Sequence, residues 1–403
     1  MIELIKSAFG VVAWIVLLAL GATGCKSETH EMAKEQAEQR WAHTRASVMM
    51  DMARGQFEVG DVAKAEESVG EVLASEPKNA EAHTLMGRIL INRNELERAL
   101  IFLNESIKLQ PKSTSSYYLR GVVYQRWQKY ERANTEYLEA YRLEPDDVSG
   151  LIGSATMLVK LGRESEAITK LNEKLAYFEN NADIRVALAG VYLREGMYGN
   201  AVETFRQAMV LRPNDQVIQE QLAMAMYAAH HYADAIQHLQ QLTSQFDAYK
   251  NRRDLKMALA DCYVATDSAV RARSILIDLT DSKPTDIAAW IQLGQVGWIL
   301  DDHPVLRRSS ERVVSLASGR TEGYILKGVL AHKTGELSEA LKMFDYASSI
   351  APNDHLPHLM KGMVHEESGD LPAARAAYAT AIKLNPKDSR AQTLMAKLDQ
   401  RSR

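Results

Sequence analysis

The chain has 403 residues, of which 46% are hydrophobic and 25% charged, with a formal net charge of -4. That balance leaves no basic footprint for nucleic acid, and no block of like charges marks a partner-binding tail. Length alone would allow two or three globular domains, a count that loses its meaning if the chain is an array of repeats.

Residues 7–25 carry no charge, and the apolar run from Ala8 to Leu20 follows a single Lys6 that Glu3 partly offsets, the pattern of a secretory h-region. The run ends in Ala22-Thr23-Gly24-Cys25. This resembles the bacterial lipobox, and the resemblance implies a signal peptide over residues 1–24 with Cys25 diacylated as the mature N-terminus. The residues themselves leave a second reading open, an uncleaved signal anchor, because an apolar run of about 18 residues is borderline for spanning a bilayer. Either reading makes the body an exported, membrane-anchored protein of the cell envelope, facing the periplasm where an outer membrane exists. Residues 25–45 read as a short tether and a charged, helix-prone extension in which Trp41 is the main apolar residue. If Cys25 is acylated, Cys262 is the remaining thiol, and its place beside Ala258 and Ala265 on a helical stripe suits a small buried hydrophobe.

From Thr114 to Asp147 two amphipathic helices follow each other. Tyr117, Gly121 and Tyr124 form one stripe; Ala133, Tyr137 and Ala140 form another, which stops before Pro145. Small Gly121 and Ala133 permit the close approach of two helix axes. Pro77, Pro111 and Pro145 are 34 residues apart, Pro213 lies two such steps on, and after three extra residues near 250–252 the register resumes at Pro284, Pro352 and Pro386. This large, small, aromatic, Ala, aromatic, Ala, Pro pattern resembles the tetratricopeptide repeat family. The resemblance implies an all-α fold, a right-handed α-solenoid superhelix of about ten helix-turn-helix repeats at 46–79, 80–113, 114–147, 148–181, 182–215, 216–249, 253–286, 287–320, 321–354 and 355–388. Residues 389–403 complete it as a C-terminal capping helix, with Ala391, Leu394, Met395 and Leu398 on one stripe.

The turns between paired helices call for residues tolerant of the left-handed region, and Gly60, Asn94, Gly162 and others supply them, with Gln128 and His230 as exceptions. The eighth repeat departs from the pattern with Leu306 and Ser310, so a change of curvature, or a hinge, is expected around 245–320.

No nucleophile elbow, phosphate-binding loop, His-Glu-x-x-His or paired-Cys spacing occurs, so no enzyme activity, cofactor or metal is expected. His355, His358 and His365 share one helix, but two of them fall on packing positions. By the resemblance, the first helix of each repeat lines a concave groove with its fifth, ninth and twelfth residues. Lys and Asn, which hold chaperone C-termini in some relatives, do not pair there in any repeat. The groove residues expected to meet a partner are Met50, Arg54, Arg88, Tyr118, Ile152, Val186, Met224, Tyr227, Met257, Ile291, Trp298, Ile325 and Leu359. Most are apolar, which suits an amphipathic helix or extended apolar peptide; Arg54 and Arg88, one repeat apart, add an anion contact. The reading is a membrane-tethered scaffold or adaptor for protein partners in the assembly of a pilus, secretion or other envelope complex. An accessory role in exopolysaccharide export or cell-wall synthesis is the alternative.

Overall fold

Proline sets the period of the helices. The computed structural model describes residues 31–38 and 40–401; the signal-peptide and Cys25 readings lie outside the described residues. The residue before a proline is driven out of the helical region by the ring, so most second helices stop two positions ahead of one. Thus α2 (Val62–Ser75) yields to Glu76 at φ -128 and ψ 78 before Pro77, and α4 (Leu96–Leu109) yields to Gln110 at φ -133 and ψ 86 before Pro111. The next helix opens on a side-chain cap: Asn79 accepts a hydrogen bond from Ala82 N at 3.0 Å and so starts α3 (Ala80–Asn92).

The described residues are helical with short turns, and the chain forms two compact units, dividing between Val191 and Tyr192. In the first unit, α1 (residues 40–58, with 31–38 also helical) pairs with α2, and α3 with α4. α5 (Thr114–Arg126) pairs with α6 (Tyr130–Leu143), and α7 (Ser149–Lys160) with α8 (Glu164–Leu175). The boundary falls inside α9 (Ala182–Arg194).

The second unit continues with α10 (Tyr198–Leu211) packed on α11 (Gln216–Ala228), which pairs with α12 (Tyr232–Gln245). After the short α13 (Asp247–Lys250) come four hairpins. They are α14 (Arg253–Ala265) with α15 (Ala269–Ser282), α16 (Ile287–Ile299) with α17 (His303–Leu316), α18 (Thr321–Lys333) with α19 (Leu337–Ile350), and α20 (His355–Glu367) with α21 (Leu371–Leu384). Finally α22 (Ser389–Arg401) lays buried Ala391 and Leu398 against α21 and its neighbours, closing the apolar end that a repeat array exposes.

Four hairpins are locked by a glycine in the first helix facing a large residue in the second. A Cβ on Gly87 would stand 2.7 Å from the Leu103 side chain, one on Gly121 2.8 Å from the Tyr137 ring, and one on Gly328 2.5 Å from the Phe344 ring. Large side chains of the second helix, Leu103, Tyr137 and Phe344, therefore take the space that these glycines vacate. Tyr137, Phe344 and Tyr378 are fully buried, each contributing on the order of 2 to 3 kcal/mol of apolar burial. The hydroxyls are satisfied locally: Tyr137 donates to Gln125 Oε1 at 2.6 Å and Tyr378 to Glu366 Oε2 at 2.8 Å.

Two sequence irregularities are resolved by this packing. In the eighth repeat Leu306 and Ser310 are buried, and Gly297 opens the approach, since a Cβ there would meet Leu306 N at 3.1 Å. The three-residue insertion is taken up by α13, whose Tyr249 is buried. The division into two compact units lies in α9. Gln128 and His230 adopt φ 56 and 61 at the turns regardless of residue type. A tight hairpin overrides the local preference there.

Gln128→Gly relieves the left-handed strain and is expected to raise stability by about 1 kcal/mol, whereas Gly362→Val, which drives a side chain into the Tyr378 ring, lowers it by about 1 to 3 kcal/mol. Thermal unfolding of the two variants checks both signs. A third variant reports on pH. Asp286 caps α16 through Ala289 N at 3.2 Å, and its hydrogen bond with the Arg253 guanidinium holds its carboxyl below the usual range. Stability from this lowered carboxyl is present above the unfolded value near 4 and is lost as pH falls toward the folded one. Asp286→Asn should therefore lower the melting temperature at pH 7, by an amount that shrinks progressively below about pH 4.

Candidate functional site

A cleft of about 730 Å³ opens in the first unit between the first helices of successive hairpins and the turns that precede them. Arg54, Glu81, Thr84, Arg88, Lys112, Ser115 and Tyr118 line it, with Glu144 and Asp147 at the far side. A second cavity of about 530 Å³ shares Tyr118 and Ser149 with the first and reaches Ile152, Thr156 and Asp183.

The floor of the cleft is polar because its fifth-position residue is Thr84. Its Oγ1 lies 2.8 Å from both Ser106 Oγ and Ser116 Oγ, these two are 2.9 Å apart, and Ser106 donates to Ala80 O at 2.9 Å. Ser106 and Ser116 are fully buried, so the cluster satisfies hydroxyls that would otherwise be costly and ties α3, α4 and α5 together. Above it the charges alternate. Arg54 is held by Asp51 at 2.6 Å and by Glu81, while the Arg88 guanidinium sits 4.9 Å from the centre of the Phe57 ring. Arg88 and Lys112 line the cleft with no carboxylate in salt-bridge reach among the described residues, so they are available to an anionic group. The Tyr118 ring rests 5.3 Å from that of Tyr137 and presents an aromatic wall.

The apolar trough expected from the sequence needs correcting. Met50, Ile325 and Leu359 are 3%, 5% and 1% exposed and belong to the core clusters, where their side chains fill the space between successive hairpins. They cannot meet a partner without unfolding their repeats. Ile152, Val186, Met224, Met257, Ile291 and Trp298 are half-buried. Tyr227 is committed internally, donating to Asp261 Oδ2 at 2.9 Å, and burial together with that carboxylate pushes its phenol up to about 12. Asp261 also accepts from the Gln292 amide, so Tyr227 is tied into a polar network within the second unit.

Lys112, Ser115, Glu144 and Asp147 were not found by counting fifth, ninth and twelfth positions. They flank Pro111 and Pro145, and their residue types do not separate them from the equivalent turns of other repeats. Among the histidines, His355 Nε2 lies 2.9 Å from Asp388 Oδ2, and burial and Lys361 push His358 down. Among the described residues no three His, Cys, Asp or Glu side chains are grouped to hold a metal ion. Burial pushes the Cys262 thiol up to about 12. No helix among the described residues is long and apolar enough to cross a membrane.

Comparison with known proteins places this geometry. A tetratricopeptide repeat family model matches residues 56–121, 227–294 and 331–398, and a second tetratricopeptide repeat model matches 93–243. No curated protein matches the chain. Among solved structures, a tetratricopeptide repeat protein from Parabacteroides merdae is 17% identical over 63% of this chain and 99% of its own, with a TM-score of 0.46. The Pseudomonas aeruginosa protein pilF is 14% identical over 55% of this chain and 99% of its own, at 0.45, and yeast Tom70 is 12% identical over 89% of each chain, at 0.44. The hairpins and the family matches together make the chain a scaffold for protein–protein interaction, a member of the tetratricopeptide repeat family.

Proposed function

We propose that the protein is a membrane-tethered scaffold of the bacterial cell envelope that holds an extended segment of a protein partner in the cleft of its first unit. The cleft carries this reading: about 730 Å³ of open space, with Arg88 and Lys112 facing it and the Thr84 hydroxyl cluster beneath. Such a site favours a peptide that brings a carboxylate to Arg88 and backbone polar groups to Ser115 on its lining. An apolar helix would bury Arg88 and Lys112 without compensation, which costs several kcal/mol per unpaired charge, on the order of the whole binding energy of a weak peptide. The tether is argued from the apolar run 8–20 and the Ala22-Thr23-Gly24-Cys25 sequence, and the role in assembling a pilus, secretion or related envelope complex follows from a tethered protein-binding scaffold.

The test is a capture of partners from detergent-solubilised envelopes with the unaltered protein and with Arg88→Glu combined with Lys112→Glu, both surface changes that leave the core intact. The unaltered protein should retain a partner that the variant loses by tenfold or more; equal retention would move recognition off the cleft. In the same cells, incorporation of a labelled fatty acid that disappears in Cys25→Ser distinguishes lipidation from an uncleaved anchor.

A further inference from the structure

Helix α1 has two faces, and the fold uses one. Ala46, Met50 and Ala53 are buried against the first core cluster. On the opposite side Trp41, Val48 and Met52 are 66%, 62% and 45% exposed, Arg45 and Gly55 on the same line are exposed too, and Val59, 82% exposed in the turn that follows the helix, continues it. The six positions alternate steps of four and three residues, the 3.5-residue seam along which two helices pack side by side.

In later repeats the same face is covered. Ala82, Ile218 and Leu255, which correspond to Val48, are buried, as are Ile89, Met157 and Cys262, which correspond to Gly55. The cover is the second helix of the preceding hairpin. A Cβ on Gly150, another counterpart of Val48, would meet Tyr137 O at 2.6 Å, and one on Gly323 would meet Val314 Cγ2 at 2.8 Å. In α1 that face, shaped to receive a helix, is not covered by any of the described residues.

We infer that a second copy of this chain covers it, through an antiparallel pairing of the two α1 helices. The spacing of the exposed apolar residues, 7, 4 and 7, reads the same in both directions. An antiparallel copy centred on Met50 therefore sets Trp41 against Val59, Val48 against Met52, and Arg45 against Gly55. Each layer is complementary. Gly55 has nothing within 4 Å of where its Cβ would stand, which leaves room for the Arg45 stem, and the Arg45 head already lies over the Trp41 ring at 5.8 Å. A parallel pairing would oppose Arg45 to Arg45 and leave a void at Gly55. The seam is bounded by Glu38, which pairs with Lys34, and by the turn at Gly60. Asp51, the charge that the pairing brings nearest its own copy, is held by Arg54 at 2.6 Å.

The test uses the full chain in mild detergent with Cys25→Ser, Cys262 being buried. Val48→Cys and Met52→Cys proteins are oxidised separately and as a mixture. A disulfide needs Cα atoms about 4.4 to 6.8 Å apart, so the mixture should yield a covalent dimer and neither protein alone should. Light scattering should give twice 45.0 kDa for the uncrosslinked protein and a single chain for Val48→Glu, whose circular dichroism stays unchanged because the site is exposed. Crosslinking of Val48→Cys with itself would overturn the antiparallel register. A monomer at every concentration would overturn the dimer, and if that monomer bound phosphatidylglycerol vesicles through Trp41, the face would belong to a lipid surface instead.

Discussion

The contact between a glycine of one helix and a large side chain of the next, as in Gly121 with Tyr137 or Gly362 with Tyr378, is the constraint from which the rest follows. It brings the two axes of a hairpin close enough that the ring is wholly enclosed, and it fixes which face of the first helix turns toward the preceding hairpin. That face then carries small or apolar residues, and the remaining face opens to the cleft. Turn residues obey the same geometry. Gln128 and His230 accept a left-handed backbone because the alternative is to unpack a hairpin worth more than the one or two kcal/mol of strain.

Much of this was legible in the sequence because the constraint acts on residue type. Only Gly or Ala fits the close approach, a non-helical residue precedes each proline that ends a second helix, such as Pro77, Pro111 and Pro145, and both repeat with the period of the hairpin. The site was legible in part. Arg54 and Arg88 were singled out and do line the cleft, and Tyr118 stands on its wall. The apolar fifth positions misled, since an apolar residue on the first helix serves equally to line a groove or to fill the seam between hairpins. Met50 and Leu359 do the latter. What decides is the tightness of stacking, a property of many contacts that no single position records. Thr84 shows the reverse case, where a polar residue at a fifth position is taken up by bonding with two buried serines.

The two ends of the described chain are finished differently, and this bears on how a scaffold works. At the C-terminal end α22 covers the last hairpin with Ala391 and Leu398 and turns Arg390 and Arg401 into ion pairs with Asp388 and Glu366. The α1 face has no such cover among the described residues, yet it carries the spacing of a helix seam. The dimer proposed from the α1 face would present two clefts per assembly. Paired sites raise the effective concentration of a partner that itself repeats.

The most direct measurement is site-specific photo-crosslinking in living cells, with a photoreactive amino acid placed at Ser115 in the cleft or at exposed Thr135 on α6. The account expects a discrete adduct from Ser115 and none from Thr135. An adduct from Thr135 alone, or equal adducts from both, would contradict the assignment of partner binding to the cleft.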